Sequence, residues 1–178
     1  MKNVRILLLG LAFVTLSVQA QQTKFGIRGG AALSSLDFDN SVEFDNDSRV
    51  GAYLGGFADL GISDSFSIMV EAQYAAEGAK EKPFRLSLIQ LPVQLRYAIS
   101  PKVTLGAGPQ FSFIAWDTQD VFNQYAFSAV GSLEFLITDM FFVDFRYNLG
   151  ITDVLDNSFM SDNEARNSSV QVGIGIKI

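Results

Sequence analysis

From Val170 onward the chain alternates without an error: Val170, Val172, Ile174, Ile176 and Ile178 share one side, and Ser169, Gln171, Gly173, Gly175 and Lys177 share the other. A repeat of two residues marks an extended strand with one apolar and one polar face. The pattern recurs along the chain. Residues 89–99 set Ile89, Leu91, Val93, Leu95, Tyr97 and Ile99 against Gln90, Pro92, Gln94 and Arg96. Residues 141–149 set Phe141, Val143, Phe145, Tyr147 and Leu149 against Phe142, Asp144, Arg146 and Asn148. Residues 66–74, 103–113 and 125–137 repeat it, with Glu71, Gln110 and Glu134 among their polar positions. Two further strands are less sharply patterned. Residues 24–35 place Phe25, Ile27, Ala31 and Leu33 opposite Gly26, Arg28, Gly30 and Ser34. Residues 49–62 admit two registers, one with Val50, Ala52, Leu54, Ala58 and Leu60 on the apolar side, the other with Tyr53 and Phe57 there. The first is preferred because it leaves Asp59 among the polar residues; a slip of one position would reverse every side chain.

The connections carry independent information. Ser63-Asp64, Ser100-Pro101-Lys102 and Thr138-Asp139 are tight turns, whereas 37–48, 77–84, 116–124 and 150–167 are long and polar. In order they run long, short, long, short, long, short, long. In a meander every second connection emerges at the same end, so the short turns gather at one end and the long loops at the other. The predicted fold is all-β: an eight-stranded antiparallel up-and-down transmembrane β-barrel with short periplasmic turns and long acidic extracellular loops. A closed sheet suits a bilayer because its ladder leaves no backbone group without a partner.

Alternation alone does not say which face looks inward. An exported soluble barrel of lipocalin type, holding an apolar ligand, would turn the apolar face to its interior. Three features favour lipid outside. Residues 1–20 read as a cleaved export signal, with basic Lys2 and Arg5, an apolar run from Ile6 to Val18 and a small-residue site at Val18-Gln19-Ala20, leaving residues 21–178 as one domain. The polar face carries Arg28, Glu71, Arg96, Glu134, Asp144 and Arg146, which a narrow eight-stranded lumen would bring together as ion pairs. Phe66, Tyr74, Tyr97, Phe113, Tyr125 and Tyr147 lie on the apolar face, several near strand ends, where aromatic girdles form.

Composition then excludes whole classes of function. The formal net charge is −6, and two units more negative once Lys2 and Arg5 are removed; without clustered Lys and Arg, nucleic acid is no partner. The absence of Cys rules out disulfides. The absence of His removes the usual general base and metal ligand. No cofactor is implied. Outer-membrane lipid is the expected partner of the apolar face, and other envelope proteins are the expected partners of the acidic loops.

Phe25-Gly26-Ile27-Arg28-Gly29-Gly30, Ser65-Phe66-Ser67-Ile68 running through Glu71 to Gln73-Tyr74 and Gly78-Ala79-Lys80, Ile89-Gln90-Leu91-Pro92, Gly106-Ala107-Gly108-Pro109 and Asp144-Phe145-Arg146-Tyr147-Asn148-Leu149-Gly150 together resemble the PorT-like outer-membrane β-barrel family of Gram-negative bacteria. The resemblance spans residues 21–178. It implies an eight-stranded integral outer-membrane barrel and no particular activity; the name-giving member is tied to a protein secretion apparatus. The chain departs from such barrels in finishing on Ile178, where an aromatic residue is common.

Several clusters invite a sharper reading. Asp37, Asp39, Glu43, Asp45 and Asp47 fall in one loop and offer oxygen ligands for a hard cation such as calcium. The EF-hand spacing fails, since Val42 stands where Gly is needed and Ser48 where the closing Glu belongs. A solvated acidic loop is the preferred reading, and the same holds for Asp153, Asp156, Asp162 and Glu164. Glu71, Glu134 and Asp144 would face three arginines, so structural pairing is preferred to catalysis and no enzyme activity is expected. Eight strands also leave too little bore for an open pore.

Overall fold

The structure, a computed structural model, describes residues 23–38, 48–78, 85–116, 125–152 and 165–178. The predicted export signal lies outside them. Eight strands form the molecule: β1 (Thr23–Phe38), β2 (Arg49–Gly61), β3 (Phe66–Gly78), β4 (Arg85–Ser100), β5 (Val103–Trp116), β6 (Tyr125–Leu136), β7 (Phe141–Gly150) and β8 (Ala165–Lys177). Each pairs antiparallel with the next, and β8 pairs with β1 to close the barrel. At the seam the amides of Phe25 and Ile178 donate to each other's carbonyls at 2.9 and 2.8 Å. Closure leaves no strand edge open to lipid, the condition a spanning sheet must meet.

The three tight turns are held by their own hydroxyls. Ser63 Oγ accepts the Phe66 amide at 3.1 Å, Ser100 Oγ accepts the Lys102 and Val103 amides at 3.3 and 3.1 Å, and Thr138 Oγ1 accepts the Met140 and Phe141 amides at 3.3 and 3.0 Å. Short side chains of this kind satisfy backbone donors that a tight turn would otherwise orphan.

The alternating pattern sorts the barrel into an apolar outside and a mainly polar inside. Ile174, Leu54 and Ile27 are 68 %, 65 % and 60 % exposed, while Gln171 and Arg146 on the opposite face are fully buried. In water each such Ile or Leu would forgo ~1.5–3 kcal/mol of burial, so this surface is built for acyl chains. The lipocalin-type arrangement, with the apolar face inward, is not the one formed. Strand β2 takes the register that leaves Val50, Leu54 and Leu60 outside and Asp59 inside. Outside, Phe66 packs on Tyr97 and Phe111 on Phe127, each with ring centroids 4.9 Å apart, and Phe113 on Tyr125 at 5.5 Å.

One expectation needs correction. The strands run further than the polarity of their ends suggested: β1 continues to Phe38, β3 to Gly78, and β8 begins at Ala165. Asp37, Glu77 and Asn167, read as loop residues, are therefore strand residues. Glu77 and Asn167 point into the lumen, where Asn167 Nδ2 donates to Glu77 Oε2, so polarity does not end either strand there. The interior is polar but not uniformly so, in keeping with the place of Phe142 opposite the apolar face of its strand. Tyr53, Phe57, Met69, Leu86, Leu88, Val130 and Phe142 are all buried, and Phe57 meets Phe142 edge-on with centroids 5.8 Å apart. Glycines make room for the rings: a Cβ at Gly26 would collide with Phe57, and one at Gly175 with Phe142.

Candidate functional site

Because successive strands place every second residue inward, charged side chains from non-neighbouring strands meet across the lumen in layers. The central layer joins β1, β3 and β7. Arg28 grips the Glu71 carboxylate with two nitrogens, Nε reaching Oε1 at 2.8 Å and Nη2 bonding Oε2, while Nη1 donates to Asp144 Oδ2 at 2.8 Å. Such a fork against a carboxylate is the strongest geometry a guanidinium offers. Arg146 lies alongside, its Nη2 2.9 Å from Glu71 Oε2 and its Nε 3.3 Å from Asp144 Oδ2. It is fully buried, yet none of its three nitrogens is aligned for a hydrogen bond. Its contribution to this layer is charge without directed bonds. Tyr53 adds a long hydrogen bond from its hydroxyl to Asp144 Oδ1 at 3.4 Å.

Toward the short turns lies a second layer. Arg96 bridges Asp59 Oδ2 at 2.7 Å and Glu134 Oε2 at 2.6 Å, and Lys177 bonds the other oxygen of Glu134. The Lys177 ammonium also stands 5.2 Å from the Phe142 ring centroid, a cation–π distance.

The third layer, toward the long connections, is organised by an anion. Glu77, fully buried, accepts from Ser169 Oγ at 2.9 Å and Gln171 Nε2 at 3.0 Å on one oxygen. On the other it accepts from Asn167 Nδ2 at 2.8 Å and Gln90 Nε2 at 3.1 Å. Four neutral donors from β8 and β4 thus surround one carboxylate and fasten β3 to the opposite wall. Next to it Gly78 adopts φ 95°, a conformation that glycine takes without a Cβ penalty, and its carbonyl accepts the Ser34 hydroxyl at 2.7 Å.

All six residues singled out by parity, Arg28, Glu71, Arg96, Glu134, Asp144 and Arg146, face the lumen, divided between two layers. Among the described residues three further buried charges escaped that reading. Asp59 and Lys177 sat on polar faces in the sequence but were not counted with the charges, and parity alone would have found them. Glu77 was hidden by its place in a polar stretch. Of the calcium candidates, Asp37 belongs to β1, its backbone opposite Arg166 of β8, and Asp39, Glu43, Asp45 and Asp47 lie outside the described residues. So do Asp153, Asp156, Asp162 and Glu164. Among the described residues no group of three acidic, His or Cys side chains is placed to hold a metal.

The central and lower carboxylates are thus committed to cations, and Glu77 to four neutral donors. The arrangement can brace and close the lumen. A family model described as the outer membrane protein beta-barrel domain matches residues 6–177. No curated protein matches the chain. Among solved structures, the attachment invasion locus protein Ail of Yersinia pestis is similar, with TM-score 0.55 at 14% identity over 87% of this chain and 98% of its own. Neisserial surface protein A is similar at TM-score 0.53 and 18% identity over 86% of this chain and 97% of its own. OprG of Pseudomonas aeruginosa is similar at TM-score 0.50 and 13% identity over 87% and 95%. At these identities the likeness speaks for the fold. Taken with an apolar exterior around a charged interior, the matched domain means that the chain belongs to the outer membrane protein beta-barrel domain family and is an integral outer-membrane protein.

Proposed function

We propose that this protein is a structural or interaction component of the outer membrane: a closed anchor, not an open pore, whose working surface is formed by the long connections. The observation that carries this reading is the central layer. Arg28, Glu71, Asp144 and Arg146 fill the middle of the barrel with side chains no more than 3 % exposed. Stranding one member of such a buried set costs about 3–5 kcal/mol, so thermal motion opens the path rarely. In this reading residues 1–20 are removed on export, the short turns face the periplasm and the long connections face outward. Most of the acidic residues fall in or beside those connections, which favours a partner with a basic surface. The resemblance of the motifs to PorT-like barrels supports a place beside a protein secretion or surface-assembly apparatus.

The chain has no Cys, so a single Ser41→Cys substitution creates its sole thiol. Coupled to a membrane-impermeant cross-linker in whole cells, Ser41→Cys is expected to capture a discrete envelope protein, and Ser65→Cys in a short turn is expected to stay unlabelled. Labelling at Ser65→Cys alone, or a stable ohmic conductance of the purified protein in planar bilayers, would overturn the reading.

A further inference from the structure

At the short-turn end the barrel opens into a vestibule of about 450 Å³, within the range of small-molecule sites. Its floor is formed by Asp59, Glu134 and Lys177. These groups are already engaged: Arg96 takes Asp59, and Arg96 with Lys177 takes Glu134. The mouth is different. Lys24 of β1 and Lys102 of the β4–β5 turn line it from opposite walls, and neither ammonium has an ion-pair partner among the described residues.

The hydroxyls at the mouth add to this imbalance. Ser63 Oγ and Ser100 Oγ spend their lone pairs on backbone amides. A hydroxyl oxygen that accepts in this way keeps its own proton to give. The mouth therefore offers two free ammonium groups and two free hydroxyl donors, while the carboxylates of the floor are committed to cations. Asp64 is the one exposed carboxylate in the lining.

We propose that this vestibule binds a small phosphorylated solute, its dianionic phosphate held between Lys24 and Lys102 with the Ser63 and Ser100 hydroxyls donating to it. Lysine suits this task as a mobile point charge. The phosphomonoester is either a soluble metabolite or the headgroup of phosphatidic acid. The site does not depend on the interaction role of the long connections, and its failure would leave that role standing.

The test uses the full chain, isotope-labelled, in phosphatidylcholine nanodiscs, titrated with glycerol phosphate and, separately, with glycerol. Saturable amide shifts confined to the vestibule are expected with the phosphate ester only. Lys24→Gln with Lys102→Gln is expected to weaken binding by about tenfold or more, equivalent to ~1.4 kcal/mol, and Asp64→Asn to tighten it. The two effects have opposite signs and all three positions are exposed, so misfolding cannot mimic both. An absent or unsaturable shift, equal shifts with glycerol, or binding indifferent to both variants overturns the proposal. Repeating the titration in nanodiscs containing phosphatidic acid identifies the source: competition assigns the site to a lipid headgroup, and unchanged affinity assigns it to a soluble ester.

Discussion

Replacing Arg28 with Met removes one guanidinium and strands two carboxylates. Arg28 supplies both hydrogen bonds of the Glu71 fork and a 2.8 Å bond to Asp144, and those carboxylates are 2 % and 3 % exposed. Losing one partner of a buried pair costs about 3–5 kcal/mol, chiefly because the surviving charge stays desolvated. Arg146 sets where in that range the loss falls. It already sits 2.9 Å from Glu71 without an aligned bond, so it is the group placed to rotate and take over part of the fork. We therefore expect a loss near the lower end, ~3 kcal/mol. With a urea slope of ~2 kcal/mol per molar, the unfolding midpoint in lipid vesicles should fall by about 1.5 M. Asp64→Asn in an exposed turn is the control and should stay within ~0.5 kcal/mol. Adding Glu71→Gln to Arg28→Met restores charge balance and should recover more than half of the loss. The reasoning fails if Arg28→Met moves the midpoint no further than Asp64→Asn, or if the two substitutions simply add.

Four further outcomes follow from the same geometry. Arg146→Met alone should cost less than Arg28→Met, because it breaks no aligned hydrogen bond; combined with Arg28→Met it should cost more than the sum, since Glu71 and Asp144 then have no arginine, as a double-mutant cycle in urea would reveal. Glu77→Gln keeps one of two acceptor oxygens for four donors and should lower stability by about 2–4 kcal/mol, read from the temperature at which the folded band is lost in gels. Val172→Arg, on a residue 55 % exposed to the outside, should cost ~2–4 kcal/mol in vesicles, as charges near a bilayer midplane do; a neutral result would mean that this face meets water. Phe142→Ala should cost about 3–5 kcal/mol through the cavity left beside Phe57 and Met69, measured by the same urea titration.

Period-two alternation made facing legible from local sequence alone. Val172 and Gln171 had to part company whatever the rest of the chain did, and Asp59 decided the register of β2 because a carboxylate in lipid has no counterpart to meet. Partner choice was not legible, since it is settled across the lumen: Arg28 and Asp144 stand 116 residues apart, and no local rule links them. Glu77 shows a second limit. Polarity in a soluble protein signals a surface loop, but a barrel with a polar interior gives the same signal for a buried strand residue, so the β3 boundary was drawn short. Alternation did place Phe57 and Phe142 on the inner face; what it did not reveal is that their rings fill space left open by Gly26 and Gly175 on neighbouring strands.

The seam between β1 and β8 has a consequence for biogenesis. The reciprocal bonds of Phe25 and Ile178 join the first strand to the last, so the hoop cannot be fastened until the eighth strand has been delivered. Until then the incomplete sheet carries two unmated margins that hydrocarbon cannot solvate, which makes any intermediate with seven strands a poor resident of the bilayer. Assembly should accordingly be all-or-none, and the unfinished chain should need an escort or a template strand until the last ladder forms.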